Sequence, residues 1–267
     1  MNIKKALFYF ITLQKRNRFG RFLQRINNSL RNALENKMND NELSGEYRVL
    51  RILAKNNPKV VFDVGANVGN WTKEFKKFSP NSKIYSFEPV PQTFELLERN
   101  LEGLFDVFAH KIALSDRIGT LEFNFYPSNS YFSSIYKTTL DFNFERLTVN
   151  SIPGDIFCDK HNIDQIDFLK IDVEGAENKV LEGFKQRIKD KKIKIIQFEY
   201  GPLNVESKFL LKDFYYLLEE NGYRLGKIYP NWIDWSEYTI EKENFILSNF
   251  IAVSKYDSHL LEFLENA

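Results

Sequence analysis

From residue 59 onward, short apolar runs alternate with stretches in which hydrophobic residues recur at helical spacing. The runs predict strands and the periodic stretches predict helices, in an order typical of a parallel sheet with right-handed crossovers. The last two strands have no helix between them, so we expect them to form an antiparallel pair at one edge. The predicted fold class is therefore α/β, with a mostly parallel seven-stranded sheet and helices on both faces. The predicted strands are 59–63, 83–87, 105–112, 166–172, 193–199, 223–229 and 245–253, and the predicted helices are 70–78, 91–101, 176–187 and 207–221.

The alternation is interrupted at residues 119–158, where aromatic residues accumulate around Pro127 and a run of small polar residues, 128–130. Two interpretations are open. In the first, the segment adds strands or a lid beside a ligand crevice. In the second, its aromatic side chains at alternate positions only pack in the hydrophobic core. We treat residues 119–158 as a β-rich insertion within a domain that covers residues 58–267.

Residues 1–57 precede the alternating pattern and are expected to form a helical extension. Apolar residues recur there at helical spacing, with arginines largely on the other side: Phe19, Phe22, Leu23, Ile26, Leu30 and Leu34 against Arg18, Arg21, Arg25 and Arg31. One interpretation of this basic amphipathic arm is a helix packed on the domain or on a second subunit of a homo-oligomer. The other is an arm that rests on an anionic membrane or docks an assembly partner.

The charge of the chain is unevenly distributed. Its 267 residues carry a formal net charge of only +1, but residues 1–37 hold nine Lys and Arg against a single acidic residue, Glu35. The remainder is net acidic and contains no visible recognition module, so we expect no nucleic-acid partner. The single cysteine, Cys158, excludes an internal disulfide framework and suits a reducing compartment.

Residues 6–13 form an apolar run that follows two lysines. The run is far shorter than the roughly 20 residues that a membrane-spanning helix needs. Basic residues follow it where a secretion signal would carry a cleavage site. We therefore expect a cytoplasmic protein, with residues 1–37 as the candidate for a peripheral contact at the inner face of the membrane.

The apolar run Val60–Val64 ends in the turn Gly65-Ala66-Asn67-Val68-Gly69, and a helix is predicted directly after it, from Asn70. A strand, a tight turn and a helix N-terminus in this order hold nucleotide-like ligands in α/β proteins. Glycine permits positive φ or close approach of the backbone to a ligand. Asp63 adds a carboxylate where the strand ends, so the stretch predicts a binding site as well as a fold.

Acidic residues stand at or shortly after the ends of five predicted strands. Because the carboxyl ends of parallel strands meet at the same edge of a sheet, we expect these side chains to line one crevice. A single acid at a helix N-terminus is often only a partner of the helix dipole, but five corresponding positions favour a site. The residues are Asp63, Glu88, Asp116, Asp172 and Glu199.

Glu88 lies one strand–helix–strand unit after Asp63. A carboxylate at this position can accept both hydroxyls of an adenosine ribose, which leaves NAD, and an NAD-dependent oxidoreductase, as an alternative. The turn lacks the G-x-G-x-x-G pattern that cradles a pyrophosphate. A ligand with ribose and adenine but no phosphate, S-adenosylmethionine, fits better.

Four motifs in order resemble those of the FkbM family of S-adenosylmethionine-dependent methyltransferases: Asp63-Val64-Gly65-Ala66-Asn67-Val68-Gly69, Phe87-Glu88-Pro89, Ala113-Leu114-Ser115-Asp116-x-x-Gly119 and Leu169-Lys170-Ile171-Asp172-Val173-Glu174-Gly175-Ala176-Glu177. The resemblance covers about residues 58–200 and is most specific in the last motif. It implies a class I, Rossmann-like methyltransferase fold and O-methylation of sugar or polyketide hydroxyls. We expect the cofactor to be bound by Asp63, Gly65, Ala66, Asn67, Gly69, Asn70, Glu88, Pro89, Ala113, Leu114 and Ser115.

The expected catalytic residues are Asp172, Glu174 and Glu199. A carboxylate with a pKa of roughly 4 is a weak base for a sugar hydroxyl. Either the proton leaves in concert with methyl transfer, or a divalent metal such as Mg²⁺ lowers the pKa of the hydroxyl. Asp172 and Glu199, predicted at the ends of neighbouring strands, are the candidate metal ligands.

The expected acceptor is a hydroxyl of a sugar, glycan or nucleotide-sugar, with surface polysaccharide synthesis as the expected setting. A second alternative, besides the oxidoreductase, is a non-catalytic scaffold whose methyltransferase fold serves assembly through residues 1–57. That alternative requires the cellular role to survive loss of Asp172 but not loss of the basic arm.

Overall fold

The computed structural model describes residues 2–38, 40–137 and 142–265. Its helices are α1 (Ile3–Gln14), α2 (Arg18–Leu34), α3 (Glu46–Lys55), α4 (Asn70–Phe78), α5 (Pro91–Leu101), α6 (Gly154–Lys160), α7 (Glu177–Gly183), α8 (Lys185–Lys189), α9 (Asn204–Ser207), α10 (Leu211–Glu220) and α11 (Ser258–Glu265). Its strands are β1 (Val60–Val64), β2 (Lys83–Phe87), β3 (Val107–His110), β4 (Ala113–Leu114), β5 (Gly119–Phe125), β6 (Glu145–Ile152), β7 (Ile166–Ile171), β8 (Ile193–Tyr200), β9 (Tyr223–Ile228), β10 (Ile233–Asp234) and β11 (Ser248–Ser254).

The main sheet has the strand order β10-β9-β11-β8-β7-β1-β2-β3. The strands from β8 to β3 in this order are parallel, whereas β11 runs antiparallel to both β8 and β9. The predicted α/β fold is confirmed, with eight strands instead of seven. The additional strand, β10, has only two residues, which is too short for a hydrophobic pattern to mark it.

Two further expectations differ in detail from the structure. The last two predicted strands are antiparallel neighbours, but β11 lies inside the sheet between β8 and β9, and β10 takes the edge. The predicted strand 105–112 is shorter, because the backbone turns after His110 and the N–H of Ile112 donates to the carbonyl oxygen of His110 (3.0 Å). The following residues pair with β6 in a second sheet.

Both faces of the main sheet are covered. Successive side chains of a strand point to opposite faces, and in the central strands both sets are apolar. Phe62 and Phe198 pack against α6, α7, α8 and α10, whereas Val61 and Phe168 pack against α3, α4 and α11. This double burial explains why the central strands form nearly continuous apolar runs.

The predicted extension divides into two parts with different packing. Helix α3 contributes Val49, Leu50 and Leu53 to the same core as Trp71 of α4. Of the residues in helices α1 and α2, only Gly20 is buried. Helix α3 lies before the predicted boundary at residue 57, but it packs into the core of the domain.

The predicted insertion forms added strands. β5 pairs antiparallel with β6, and β4 joins them in a three-stranded sheet. Residues 138–141 of the insertion lie outside the described residues. Among the helices of the described ranges, none combines the length and the hydrophobicity needed to cross a membrane.

Candidate active site

A cavity of about 840 Å³ lies at the carboxyl ends of β1, β2, β7 and β8. Its wall combines the turn after β1, the segments after β2 and β7, part of the insertion and the residues that precede α3. This is the edge of the sheet at which the sequence predicts a site, because parallel strands present their carboxyl ends on one side.

A row of buried polar side chains crosses the sheet just below this cavity. Ser86, Asp63, Lys170 and Gln197 occupy one register across β2, β1, β7 and β8, and all four are buried. Thr72 of α4 donates a hydrogen bond to Asp63 Oδ2 (2.7 Å) and lies 2.8 Å from Ser86 Oγ. Asp63 is fully buried and is not part of the cavity wall.

Lys170 is the cation of this row. Its ammonium group lies 3.0 Å from Asp172 Oδ2 and 3.5 Å from Asp63 Oδ1. Burial by itself lowers the pKa of Lys170, but the negative charges of Asp172, Asp63 and Glu46 outweigh it and raise the pKa. Lys170 therefore stays protonated and links the polar row to the first carboxylate of the cavity.

The turn after β1 is built around glycine. Gly65 has φ +84°, and a Cβ there would lie 1.8 Å from the carbonyl oxygen of Asp172. The N–H groups of Gly65 and Ala66 both donate to the carbonyl oxygen of Phe87, at 3.0 and 2.9 Å. The turn is thus fixed between β2 and β7, with Asn67 and Asn70 in the cavity wall.

Gly69 has a packing role instead of a place in the cavity wall. It also has positive φ (+84°), and a Cβ there would approach Cδ1 of Leu97 to 2.8 Å. The absence of a side chain at Gly69 therefore lets the start of α4 pack closely against α5.

Glu88 lies in the cavity wall at the end of β2. Its carboxylate accepts hydrogen bonds from the backbone N–H groups of Asn67 (3.1 Å) and Val90 (3.0 Å). Burial raises the pKa of Glu88 to about 7 in spite of these two donors. The neighbouring wall is formed by residues after β2 and β3, including Pro89, Ala113, Leu114 and Ser115.

Three carboxylates meet on the opposite part of the wall. Ligand oxygens of Asp172, Glu174 and Glu199 all lie within 4.8 Å of one another. Within the described parts of the chain, no hydrogen-bond donor reaches the carboxylates of Glu174 and Glu199, whereas Asp172 is held by Lys170. Burial and then the charge of Asp172 raise the pKa of both glutamates well above the usual range.

Glu174 is held in this cluster by an unusual backbone. It has φ +54°, and Gly175 follows with φ +93°. The buried carboxylate of Glu177 accepts the backbone N–H groups of Val173 (3.1 Å) and Gly175 (3.2 Å), which fixes the turn around Glu174. Burial raises the pKa of Glu177 to about 7.

The structure brings most of the predicted site residues into one cavity. All three predicted catalytic residues, Asp172, Glu174 and Glu199, are in its wall, and so are nine of the predicted cofactor residues: Gly65, Ala66, Asn67, Asn70, Glu88, Pro89, Ala113, Leu114 and Ser115. Asp63 and Gly69 lie behind the wall. Asp116, the remaining acidic residue at a strand end, is directed away and pairs with Lys179 (3.2 Å). The individual roles assigned to these residues stay predictions.

Sequence reasoning gives no role to Glu46, which begins α3 and lines the cavity. Gln197 Nε2 donates to its carboxylate (3.1 Å), and burial raises the pKa of Glu46 to about 7 against the charge of Lys170. No local pattern connects the start of α3 with β8, so only the tertiary structure identifies Glu46. Lys170 lies inside the last of the four motifs, and a lysine between the apolar residues Leu169 and Ile171 of β7 is the available signal.

The insertion reaches the cavity from above. Asn129, Ser130 and Tyr131 are in the wall. Asn67 Nδ2 lies 3.4 Å from Ser130 Oγ, and the hydroxyl of Ser134 donates to the carbonyl oxygen of Glu174 (2.6 Å). The insertion therefore contacts both the turn after β1 and the turn that carries Glu174.

Comparison with known proteins places the chain in a family. The Methyltransferase FkbM domain matches residues 63–225, more than half of the chain. Methyltransferase 1 of Beauveria bassiana is 30% identical over 142 residues, which are 46% of this chain and 57% of that protein.

Two other relatives have more specific activities. The 2-O-methyltransferase NoeI of Sinorhizobium fredii is 27% identical over 169 residues, 58% of this chain and 68% of NoeI. The hexuronic acid methyltransferase AglP of Haloferax volcanii is 27% identical over 163 residues, 60% of this chain and 65% of AglP. Together with the sheet order and the helices on both faces, the match confirms the expected class I fold, and the chain belongs to the FkbM family of S-adenosylmethionine-dependent methyltransferases.

Proposed function

We propose that this protein transfers a methyl group from S-adenosylmethionine to a hydroxyl of a sugar, in a glycan or a nucleotide-sugar. The observation that carries this proposal is a pair of carboxylates, Glu174 and Glu199, that no hydrogen-bond donor of the described residues reaches. They lie in the wall of the cavity that also contains the predicted donor-binding residues. The family match argues against the NAD-dependent oxidoreductase.

The residues of the cavity fit S-adenosylmethionine. Glu88 offers a carboxylate of raised pKa, suited to accept ribose hydroxyls. Leu114 and Ser115 offer an apolar surface and a hydroxyl for adenine. The turn from Gly65 to Asn67 brings backbone close to the ligand space without a side chain at its first position. We assign the ribose to Glu88, adenine to Ala113–Ser115 and the amino-acid part to the turn after β1.

When bound, the donor supplies an electrophilic methyl group on a sulfonium. The chain must then align the acceptor and remove the proton of its hydroxyl. Glu199 is the proposed general base, because its raised pKa makes its carboxylate a stronger base than an ordinary glutamate. Lys170 forms a salt bridge with Asp172 beside it, and Glu177 fixes the turn that carries Glu174.

The proposed acceptor class rests on the relatives and on the wall of the cavity. NoeI is a 2-O-methyltransferase and AglP acts on hexuronic acid. In this chain, Asn129, Ser130 and Asn249 offer polar groups for hydroxyls, and Tyr131 offers an aromatic surface. A few placed polar groups in a partly aromatic pocket are typical of small-molecule recognition. We extend the proposal to surface polysaccharide synthesis.

The acceptor is tested by mass spectrometry of glycans and nucleotide-sugars from cells with and without the protein. We expect a species heavier by one methyl group only in cells that contain the protein, and its loss in cells with the variant Glu199→Gln. Identical spectra in all three cell lines would contradict a sugar acceptor.

Cells with Glu199→Gln and cells in which residues 1–37 are deleted distinguish catalysis from a scaffold role. If the fold serves only assembly, Glu199→Gln leaves the cellular role intact and deletion of residues 1–37 abolishes it. Our proposal requires that Glu199→Gln abolishes the cellular role.

A divalent metal is a second candidate for activating the hydroxyl. Carboxylate oxygens are the ligands that Mg²⁺ prefers, and the three ligand oxygens of Asp172, Glu174 and Glu199 are close enough to share one ion. If a metal is used, treatment with a chelator abolishes methyl transfer and added Mg²⁺ restores it. Full activity after chelation would leave Glu199 alone as the base.

A further inference from the structure

The two helices α1 and α2, here called the basic arm (Ile3–Leu34), expose an unusual amount of apolar surface. None of the residues of α1 is buried, and in α2 only Gly20 is. A Cβ at Gly20 would lie 1.9 Å from the carbonyl oxygen of Gln14, so this glycine permits the close turn between the two helices. Apart from that turn, the arm leaves most of its large apolar side chains exposed to solvent.

The exposed residues are large and include several aromatic rings. In α1 they are Ile3, Leu7, Phe8, Tyr9, Phe10, Ile11 and Leu13, and in α2 they are Phe19, Phe22, Ile26, Leu30 and Leu34. Phe8 is 75% exposed and Leu34 is also 75% exposed. In α2 the apolar residues recur at helical spacing, so they form a stripe along one side. An apolar surface of this extent marks an interaction site.

The charge of the arm identifies the kind of partner. The arm contains eight Lys and Arg and no acidic residue: Lys4, Lys5, Lys15, Arg16, Arg18, Arg21, Arg25 and Arg31. A second copy of the arm would bring two strongly positive surfaces together. An anionic lipid surface satisfies both properties, because it attracts the basic residues and accepts the apolar ones.

The lengths of the helices favour a position in the plane of the interface. α1 has 12 residues and α2 has 17, both below the roughly 20 that span a bilayer. Basic helices with an aromatic and aliphatic side commonly lie at the boundary between headgroups and acyl chains.

The arm is fixed to the domain at its end. Glu35, directly after α2, forms a salt bridge with Lys227 of β9 (2.6 Å), and Asn36 Nδ2 donates to the carbonyl oxygen of Ile228 (3.1 Å). A few residues later, Met38 and Asp40 line the cavity. The connection between arm and cavity is therefore short and anchored on the sheet.

We propose that the basic arm binds the surface of an anionic lipid bilayer and holds the cavity next to it. The apolar side chains enter the interface, and the arginines and lysines pair with lipid headgroups. This proposal does not depend on the acceptor of the methyl group.

Sedimentation of the full chain with lipid vesicles tests the proposal. We expect binding to vesicles that contain one third phosphatidylglycerol in phosphatidylcholine and much weaker binding to pure phosphatidylcholine. Each basic residue near an anionic surface contributes about fivefold to partitioning, so Arg18→Gln with Arg21→Gln and Arg25→Gln should weaken binding by on the order of 100-fold. Raising the salt concentration should weaken wild-type binding as well.

The matched control removes three exposed lysines outside the arm. Lys83→Gln with Lys160→Gln and Lys189→Gln changes the net charge equally and should leave binding nearly unchanged. A third variant, Phe8→Ala with Phe10→Ala and Phe22→Ala, should also lose binding, because the apolar contact is removed while the charge is kept.

All three variants should bind S-adenosylhomocysteine like the wild type, because none of the substituted residues lies in the wall of the cavity. The lipid result is thus separate from the test of methyl transfer. Equal binding to neutral and anionic vesicles, undiminished binding of the arginine variant, or arm-dependent dimerisation without vesicle binding would each overturn the proposal.

Discussion

Lys170 is the buried cation that pairs with two carboxylates of the site. It is 4% exposed, and its partners are Asp63 on the neighbouring strand and Asp172 at the end of its own strand. A buried charge is tolerated only when it is paired and hydrogen-bonded. The fold therefore depends on Lys170 and Asp63 as a pair, and the site depends on Lys170 to hold Asp172.

We predict that Lys170→Met lowers the free energy of unfolding by about 3–5 kcal/mol, because it leaves Asp63 as a buried charge without a cation. Adding Asp63→Asn should recover part of this loss. Urea unfolding of the two variants and the wild type measures these differences in the free energy of unfolding.

Lys194→Met is the control, since Lys194 pairs with Asp167 in a partly exposed position (2.7 Å). It should cost at most about 1 kcal/mol. Equal losses for Lys170→Met and Lys194→Met would contradict the assignment of Lys170 to a buried pair.

Residues that stand at strand ends could be predicted, and residues joined only by tertiary structure could not. Asp172 and Glu199 follow from the rule that parallel strands share a carboxyl edge. Glu46 enters the same cavity from α3, with no sequence pattern to relate it to β8. The sequence predicts Asp63 in the crevice, but its side chain is directed into the polar row, because Thr72 and Lys170 hold its carboxylate.

At the scale of elements, the turn between β1 and α4 determines the shape of the cavity. Gly65 is constrained in two ways: its φ of +84° is strained for any residue with a side chain, and the space of a Cβ is occupied by the backbone of Asp172. The turn therefore holds β1 and the end of β7 at the distance that the site requires.

We predict that Gly65→Ala lowers stability by more than the roughly 1–2 kcal/mol that the left-handed backbone alone costs. It should also abolish binding of S-adenosylhomocysteine, because the ends of β1 and β7 must separate. Gly103→Ala is the control. Gly103 has a similar φ of +78°, but a Cβ added there would meet no atom of the described residues within 4 Å. This variant should therefore lose only the free energy of unfolding that the left-handed backbone costs, about 1–2 kcal/mol.

Chemical unfolding and calorimetric binding distinguish the two glycine variants. Normal binding of S-adenosylhomocysteine by Gly65→Ala would contradict the role given to this turn.

Element boundaries were predictable where the chain carries a strong local signal. α4 and α5 begin and end at the predicted residues, since Gly69 has the left-handed backbone at the start of α4 and Pro91 occupies the first turn of α5. The predicted helix 176–187 is instead two helices with a break at Phe184. Its periodicity continues across the break, so the hydrophobic pattern alone did not reveal it.

At the scale of the whole molecule, buried carboxylates make stability depend on pH. The pKa of Glu88 is raised by burial from 4.5 to about 7. A carboxyl with a higher pKa in the folded chain than in the unfolded chain favours folding while it is protonated. Its contribution is fully present below pH 4.5 and is lost as the pH rises through about 7.

We therefore predict that wild-type stability falls relative to Glu88→Gln, by on the order of 3 kcal/mol, as the pH rises from 4.5 to above 7. Urea unfolding at a series of pH values measures the difference between the two proteins. Glu102→Gln, at an exposed position after α5, should show no such divergence. A constant offset between wild type and Glu88→Gln at every pH would contradict the raised pKa.

The overall architecture followed from the order of strands and helices, whereas the position of the basic arm did not. The arm has the periodicity of a helix that packs on a domain, but its apolar residues are exposed in the structure. Amphipathic spacing establishes that a helix has an apolar side and does not identify what covers it.

The most direct test of Glu199 as the general base is the rate of methyl transfer from S-adenosylmethionine to the acceptor found by mass spectrometry. The rate is measured for Glu199→Gln together with the affinity of this variant for S-adenosylhomocysteine. Loss of a general base lowers the rate by about 10²–10⁴-fold, and we expect this loss with an unchanged affinity. The exposed variant Glu182→Gln should behave like the wild type. Transfer by Glu199→Gln at the wild-type rate would contradict the assignment of the base.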